Sequence, residues 1–155
     1  MAYIKLNSFL GILYITEKNG FISNLGKTPQ KEDIFSETLL LLEAKKQLNN
    51  YFEGTLKAFN LPLKPEGTMF QQKVWNEMLS IPYGETLSYG SLAENIKSYP
   101  RPVGMACGKN PIPIIIPCHR VIAKNDKIGG YSGFNGIEDK KLLLSLEKNN
   151  LLKDC

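Results

Sequence analysis

Residues 68–96 read TMFQQKVWNEMLSIPYGETLSYGSLAENI and contain two helix patterns separated by a turn. Thr68 is placed to cap the first helix, and the run Ile81-Pro82-Tyr83-Gly84 ends it. Ser88 is placed to cap a second, shorter helix from Tyr89 to Ile96. Two short helices joined by a tight turn are typical of a helix-turn-helix, although such pairs can also simply pack together. The predicted apolar faces are Phe70, Val74, Trp75, Met78 and Leu79 in the first helix, and Leu92, Ala93 and Ile96 in the second.

The chain's single histidine, His119, directly follows Cys118. A thiol is nucleophilic as its thiolate, and an imidazole can take the proton near neutral pH. Ile114 to Ile116 are predicted to form a buried strand that Pro117 ends, so the thiol should appear at the rim of a rigid element. A buried structural cysteine is the alternative, because neighbouring residues on a strand point to opposite faces.

The first part of the chain predicts a sheet followed by a helix. Strands are expected over Tyr3–Ser8, Ile12–Glu17 and Phe21–Leu25, with a hairpin turn at Asn19-Gly20. A helix is expected from Ile34 to Phe52, with Gly54 just beyond its end. No chemical constellation occurs in this part, which is therefore interpreted as scaffold. The helix pattern rests on Phe35, Leu39, Leu42 and Leu48.

Two prolines and a glycine in Leu61–Gly67 mark a boundary, which predicts one domain at residues 1–64 and another at 65–155. A third helical segment is expected in the second domain, near Arg101–Gly108. The chain has 155 residues, 43% of them hydrophobic, and a net charge of +4. This composition predicts a soluble, cytoplasmic globular protein whose binding to a partner does not depend mainly on charge. Cys107, Cys118 and Cys155 suit reduced thiols, and one histidine without a Cys-x-x-Cys pattern argues against zinc.

The second half resembles the O6-alkylguanine-DNA alkyltransferases, also called methylated-DNA-protein-cysteine methyltransferases. The resemblance is strong over residues 66–147 and implies an α/β (α+β) protein. Its N-terminal part would be an antiparallel sheet with a helix, ribonuclease H-like, and its C-terminal part a winged helix-turn-helix domain. The matching segments are Phe70-Gln71 through Val74-Trp75, Ile81-Pro82-Tyr83-Gly84, Ser88-Tyr89 with Leu92-Ala93, Arg101 with Val103-Gly104, Asn110-Pro111, Pro113 to Val121, and Gly130-Tyr131-Ser132-Gly133.

The resemblance implies direct reversal of DNA damage. A damaged nucleotide would be flipped out of the duplex, and Cys118 would take the alkyl group from guanine O6, with thymine O4 as a further candidate. The resulting thioether has no easy leaving group, so each molecule reacts once. The implied partner is double-stranded DNA that contains O6-alkylguanine, with no cofactor, no metal and no membrane, and the protein is expected to be a monomer.

The resemblance also assigns the reacting groups. His119 would act on the thiol through a water molecule, oriented by Glu147, while the Tyr89 hydroxyl reaches N3 of the base. Ser132 would donate toward O6, and the backbone carbonyls of Cys118 and Val121 would read the exocyclic amine. Judged without the family, Glu147 is an ordinary solvated helix charge, Tyr89 a half-buried core tyrosine and Ser132 a turn serine.

The remaining assignments concern the pocket and the DNA. Pro113, Cys107 and Tyr131 would line the alkyl pocket, and Asn110 would tie the recognition helix to the active-site strand. Arg101 corresponds to the arginine that enters the base stack from the minor groove. The chain departs from the family pattern at two positions. Pro102 predicts that Arg101 lies at or just before the start of its helix. Phe134 stands where a small residue is common, so it alters the width of the alkyl pocket.

Two other functions are compatible with parts of the pattern. A lesion sensor of the alkyltransferase-like kind would flip the base and recruit other factors, but those proteins lack the cysteine that Cys118 supplies. A thiol hydrolase could use Cys118 and His119, yet it would leave Arg101 and the helix pair unexplained.

Overall fold

A computed structural model describes residues 1–29, 32–123 and 136–153. The chain divides into two compact units, Met1–Glu66 and Gly67–Cys155. Among the described residues, no helix combines the length and the apolar character needed to cross a membrane.

A four-stranded sheet forms the first unit's framework. Strands β1 (Ala2–Ser8), β2 (Gly11–Lys18) and β3 (Phe21–Gly26) pair antiparallel in sequence order, which confirms the predicted meander. Asn19 and Gly20 both have positive φ, +52° and +83°, as a tight hairpin turn requires. A short strand that the sequence analysis missed, β4 (Ile34–Phe35), pairs parallel with β1 at the sheet edge.

Helix α1 (Leu39–Phe52) packs on this sheet, as expected, but it starts five residues later than predicted. Ile34 and Ser36 donate their backbone N–H groups to the carbonyls of Met1 and Tyr3, so this segment pairs with β1 and cannot begin a helix. Thr38 caps the helix instead, through its side chain and the Leu41 N–H at 3.1 Å.

The predicted inward face of α1 was also wrong. Leu39 and Leu42 are 88% and 41% exposed, and of the four predicted positions only Leu48 is buried. Residues 39–42 are all leucine, so periodicity alone cannot select which of them faces the sheet. The helix start set by Thr38 selects the face that is formed by Leu41, Ala44, Gln47, Leu48 and Tyr51.

The second unit begins with the two predicted helices. Helix α2 (Met69–Met78) has a capping box in which Thr68 and Gln71 each bond the other's backbone N–H. Helix α3 (Tyr89–Asn95) is capped by the Ser88 hydroxyl. Of the predicted faces, Val74, Trp75, Met78, Leu92, Ala93 and Ile96 are buried, whereas Phe70 is half-buried and Leu79 is 45% exposed.

Helix α4 (Pro100–Gly108) confirms the predicted position of the arginine. Arg101 is its second residue and Pro102 its third, so both lie in the first turn, where a missing backbone N–H costs nothing. The Trp75 indole donates to the Ala106 carbonyl at 2.9 Å and joins α2 to α4. The unit is completed by a parallel pair of short strands, β5 (Leu87–Ser88) and β6 (Val121–Ile122), and by helix α5 (Ile137–Lys153).

The predicted strand over Ile114–Ile116 is wrong, although all three isoleucines are buried as expected. They form a tight turn in which the Ile116 N–H bonds the Ile112 carbonyl at 2.9 Å and Ile114 has a φ of +75°. The physical reason lies in the sequence, because prolines stand at positions 111, 113 and 117 and cannot donate to a strand ladder.

Candidate active site

Cys118 begins a single 3-10 turn, Cys118–Arg120, that follows directly on this proline-rich turn. Its backbone N–H donates to the Ile116 carbonyl at 2.8 Å, and the residue is only 6% exposed. Cys118 and Cys107 are both reduced thiols. Cys118 is therefore a buried thiol on a backbone that hydrogen bonds hold in place.

His119 and Glu147 form a fully buried pair, with the His119 Nε2 2.6 Å from the Glu147 Oε2. Burial lowers the pKa of His119 below its usual 6.5, so the imidazole is neutral at pH 7. A neutral ring that donates from Nε2 keeps Nδ1 as an acceptor. This Nδ1 is buried and has no hydrogen-bond partner among the described residues.

The Glu147 carboxylate is the centre of a larger buried network. The Arg120 guanidinium donates to both its oxygens, at 2.9 and 3.1 Å, and also to the Ile81 carbonyl at 2.7 Å. The Gly84 backbone N–H donates a further bond at 3.1 Å. Burial by itself would raise the Glu147 pKa, but the hydrogen bonds from His119 and Arg120, together with the charge of Arg120, outweigh it and lower that pKa to about 2. Glu147 is therefore ionised at neutral pH and fixes the ring of His119.

Lys140 is a fully buried lysine. Its Nζ donates to the Val121 carbonyl at 2.6 Å and lies 5.8 Å from the centroid of the Tyr89 ring. Burial lowers its pKa, while the nearby Cys118 and Cys107 act in the opposite direction. The Val121 carbonyl, predicted to read a base, thus already accepts one hydrogen bond, which leaves it one lone pair.

Tyr89 and Cys107 lie near Cys118, as their mutual electrostatic interactions show. Burial raises the pKa of both to about 12, helped by the charge of Cys118. At neutral pH Tyr89 is thus a phenol that can donate a hydrogen bond, and Cys107 is an unreactive thiol. The sulfur of Cys107 is 3.5 Å from that of Met78 in the core.

Asn110 joins the end of α4 to the turn before Cys118. Its amide donates to the Ile116 carbonyl at 2.8 Å and its oxygen accepts from the Ile112 N–H at 2.9 Å. Pro113 is buried in the same turn, whereas Arg101 is exposed. Ser132, Tyr131, Phe134 and Cys155, named from the sequence, lie outside the described residues.

Sequence reasoning missed the roles of Arg120, Lys140 and Gly84. Arg120 directly follows His119, but nothing in the pattern shows that its guanidinium turns back onto Glu147. Lys140 lies on an inward face of α5 that is mostly polar, so hydrophobic periodicity gives no signal for it. That face consists of Asp139, Lys140, Leu143, Glu147 and Asn150.

The second unit matches a known protein family. The family described as "6-O-methylguanine DNA methyltransferase, DNA binding domain" matches residues 69–149, more than half of the chain. The chain belongs to this methyltransferase family.

Within the described ranges, no three His, Cys, Asp or Glu side chains are grouped so that they could hold a metal ion.

Similar family members span most of the chain. The constitutive methylated-DNA–protein-cysteine methyltransferase of Bacillus subtilis is 42% identical over 94% of both chains. That of Methanosarcina acetivorans is 52% identical over 68% of this chain and 67% of its own length. The crystal structure of Mycobacterium tuberculosis OGT in complex with DNA has a TM-score of 0.89 and 41% identity, and covers 97% of this chain and 94% of that one.

Proposed function

We propose that this protein repairs O6-alkylguanine in duplex DNA by transferring the alkyl group to Cys118. The observation that carries the proposal is the buried, neutral His119 held by Glu147 directly beside a reduced thiol, in a chain of this family. The names of its relatives specify methylated DNA and a protein cysteine, and the M. tuberculosis relative was solved with DNA.

The reaction is an in-line substitution at the alkyl carbon. The thiol proton passes through a water molecule to the His119 Nδ1, the acceptor that has no partner among the described side chains. The Cys118 sulfur then forms the S–C bond while the O6–C bond breaks, and the electron pair stays on the guanine. Glu147 stabilises the imidazolium that results. The thioether is stable, so one molecule repairs one base.

The departing guanine is met by donors. Tyr89 keeps its proton at neutral pH, which suits donation to N3 of the base as negative charge develops there. Lys140 holds the Val121 carbonyl, which together with that of Cys118 would accept from the exocyclic amine. Ser132 as a donor toward O6, and Pro113, Cys107 and Tyr131 as the alkyl pocket, stay predictions, as does repair of O4-alkylthymine.

At the level of the fold, we infer that residues 65–155 form a winged helix-turn-helix domain that binds DNA and accepts the alkyl group. The succession of α2, α3 and α4, with Arg101 exposed in the first turn of α4, supports a minor-groove role for that arginine. We infer that residues 1–64 are a ribonuclease H-like scaffold. A cytoplasmic location and a monomeric state stay predictions.

Two competing functions are weaker. A lesion sensor of the alkyltransferase-like kind has no use for the cysteine, whereas here the thiol is backed by a base and a carboxylate. A thiol hydrolase must release its product to react again, and it leaves the exposed Arg101 without a role.

Mass spectrometry of the intact protein separates the three functions. After incubation with a duplex bearing O6-methylguanine, we expect one added methyl group per molecule, mapped to Cys118. The matched control is Cys107→Ala, which keeps the acceptor and should still gain the methyl group, whereas Cys118→Ala should not. Binding without a mass change would favour the sensor, and repeated turnover of an ester or peptide would favour the hydrolase.

A further inference from the structure

Helix α4 presents one narrow face to solvent. After its first residue, Pro100, the exposed residues of α4 are Arg101, Met105 and Gly108, spaced by four and three positions, while Val103, Ala106 and Cys107 are buried on the opposite side. Met105 is 67% exposed. A large apolar side chain thus stands one helical turn beyond Arg101, on the same face.

Two basic residues flank Met105 along its own helix. Arg101 precedes it by four residues and the exposed Lys109 follows it by four, and α4 itself contains no acidic residue. Tyr99, the residue before α4, is 76% exposed and makes no capping bond with its side chain. This face offers positive charge for phosphates and apolar groups for bases, which matches duplex DNA and not an apolar protein partner.

We propose that Met105 is a second groove contact, inserted against the base pairs of the minor groove beyond the position where Arg101 enters. The inference rests on the proposed function. Four residues of helix span about 6 Å, close to two base-pair steps of roughly 3.4 Å each. Methionine is a known minor-groove wedge, and its flexible thioether adapts to an irregular step. Met105 thereby helps to hold the duplex open while the damaged base is flipped.

The test compares Met105→Ala and Met105→Leu with Met69→Ala. Met69 is a matched control, since it is a 91% exposed methionine at the start of α2 in the same unit. Each variant is measured for single-turnover repair of an O6-methylguanine duplex, for binding to an undamaged duplex over a salt series, and for reaction with free O6-benzylguanine. Arg101→Ala serves as the reference for a lost groove contact.

We expect Met105→Ala to slow duplex repair and weaken duplex binding about tenfold, the size expected when a partly buried apolar side chain loses its contact. Its reaction with free O6-benzylguanine should not change, nor should the slope of its affinity against salt, because no charge is removed. Met105→Leu should retain most of the activity and Met69→Ala all of it.

Two results would overturn the role of Met105: a Met105→Ala variant that behaves like Met69→Ala, or one that loses equal activity on the free base. If the wild-type protein transfers no methyl group to Cys118, the proposed function fails. In that case the affinity of Met105→Ala for undamaged duplex still tests the role of Met105, because binding requires no reaction.

Discussion

The chemistry of the site depends on the charge states of single residues. His119 is kept neutral by burial, while Glu147 is kept ionised by the donors around it. The Nδ1 of His119 is therefore a buried acceptor with no partner among the described residues, and Glu147 compensates the charge that appears on the ring when it takes a proton. His119 is thus a base that the Glu147 carboxylate orients, the usual arrangement for activating a nucleophile.

Substituting Glu147→Gln should slow alkyl transfer about a hundredfold, because it removes the charge that raises the basicity of His119. The loss should be equal on duplex DNA and on free O6-benzylguanine, since the step affected is the chemistry. The measurement is the single-turnover rate with each substrate.

Glu138→Gln is the matched control for that variant. Glu138 is an exposed glutamate in the first turn of the same helix, so its substitution should leave both rates unchanged. A folded Glu147→Gln variant that reacts at the wild-type rate would contradict the role of Glu147. Retained fluorescence of the buried Trp75 establishes that the variant is folded.

The turn between α2 and α3 positions a helix that is far away in sequence. Gly84 has a φ of +80°, donates its N–H to Glu147, and leaves no room for a side chain next to Leu151 of α5. A Cβ at this position would lie 2.0 Å from a Leu151 methyl group. The turn and α5 are thus matched to each other by shape and by a hydrogen bond.

We therefore expect Gly84→Ala to destabilise the protein by about 3 kcal/mol, from backbone strain together with the displacement of α5. It should also slow alkyl transfer, because Glu147 moves with α5. Denaturant unfolding followed by Trp75 fluorescence and the single-turnover rate measure the two effects.

Gly20→Ala separates strain from displacement. Gly20 has a similar φ of +83°, but nothing lies within 4 Å of the Cβ that would be added. We expect a cost of about 1 kcal/mol for that variant and no change in the transfer rate. Equal effects of the two substitutions would show that the contact with Leu151 does not matter.

The two units of the whole molecule differ in their buried charges. Among its described residues, the unit from Gly67 onward buries the ionisable side chains of His119, Arg120, Asp139, Lys140 and Glu147. Among the described residues of the first unit, Glu66 is the carboxyl group whose pKa is lowered. Its ion pair with Lys18 is exposed. Exposed pairs contribute little to stability, so the pH dependence of stability is concentrated in the second unit.

Acidification should destabilise the second unit. Glu147 contributes stability that is complete above its unfolded pKa of 4.5 and is lost as the pH falls toward about 2. His119, whose pKa is lowered from 6.5, also favours the folded state less as the pH falls below 6.5, because the unfolded chain binds that proton more readily. Both contributions have the same sign.

The single tryptophan, Trp75, is buried in the second unit and reports on it. We expect the urea midpoint of its fluorescence to fall steadily from pH 7 to pH 3. In Glu147→Gln the part of this fall below pH 4.5 should be smaller. A midpoint that does not change between pH 7 and pH 4 would contradict the buried state of His119.

Much of the architecture followed from local signals. The hairpin at Asn19-Gly20 and the caps Thr68 and Ser88 act within a few residues, and each was confirmed. The predicted start of α1 was wrong because it depends on β1, which is distant in sequence, and the predicted inward face was wrong because four consecutive leucines do not distinguish one face from another. The turn at Ile114 was predicted as a strand because its run of isoleucines was given more weight than the prolines around it.

The motif around Cys118, the family, and the starts of α2 and α3 follow from the amino-acid sequence, since they depend on neighbouring residues. The convergence of Arg120, Gly84 and His119 on Glu147, and the burial of Lys140 against Val121, arise only in the folded chain. The physical reason is that these bonds join residues of separate turns and helices. Burial then makes each charge depend on its partners, which no local pattern encodes.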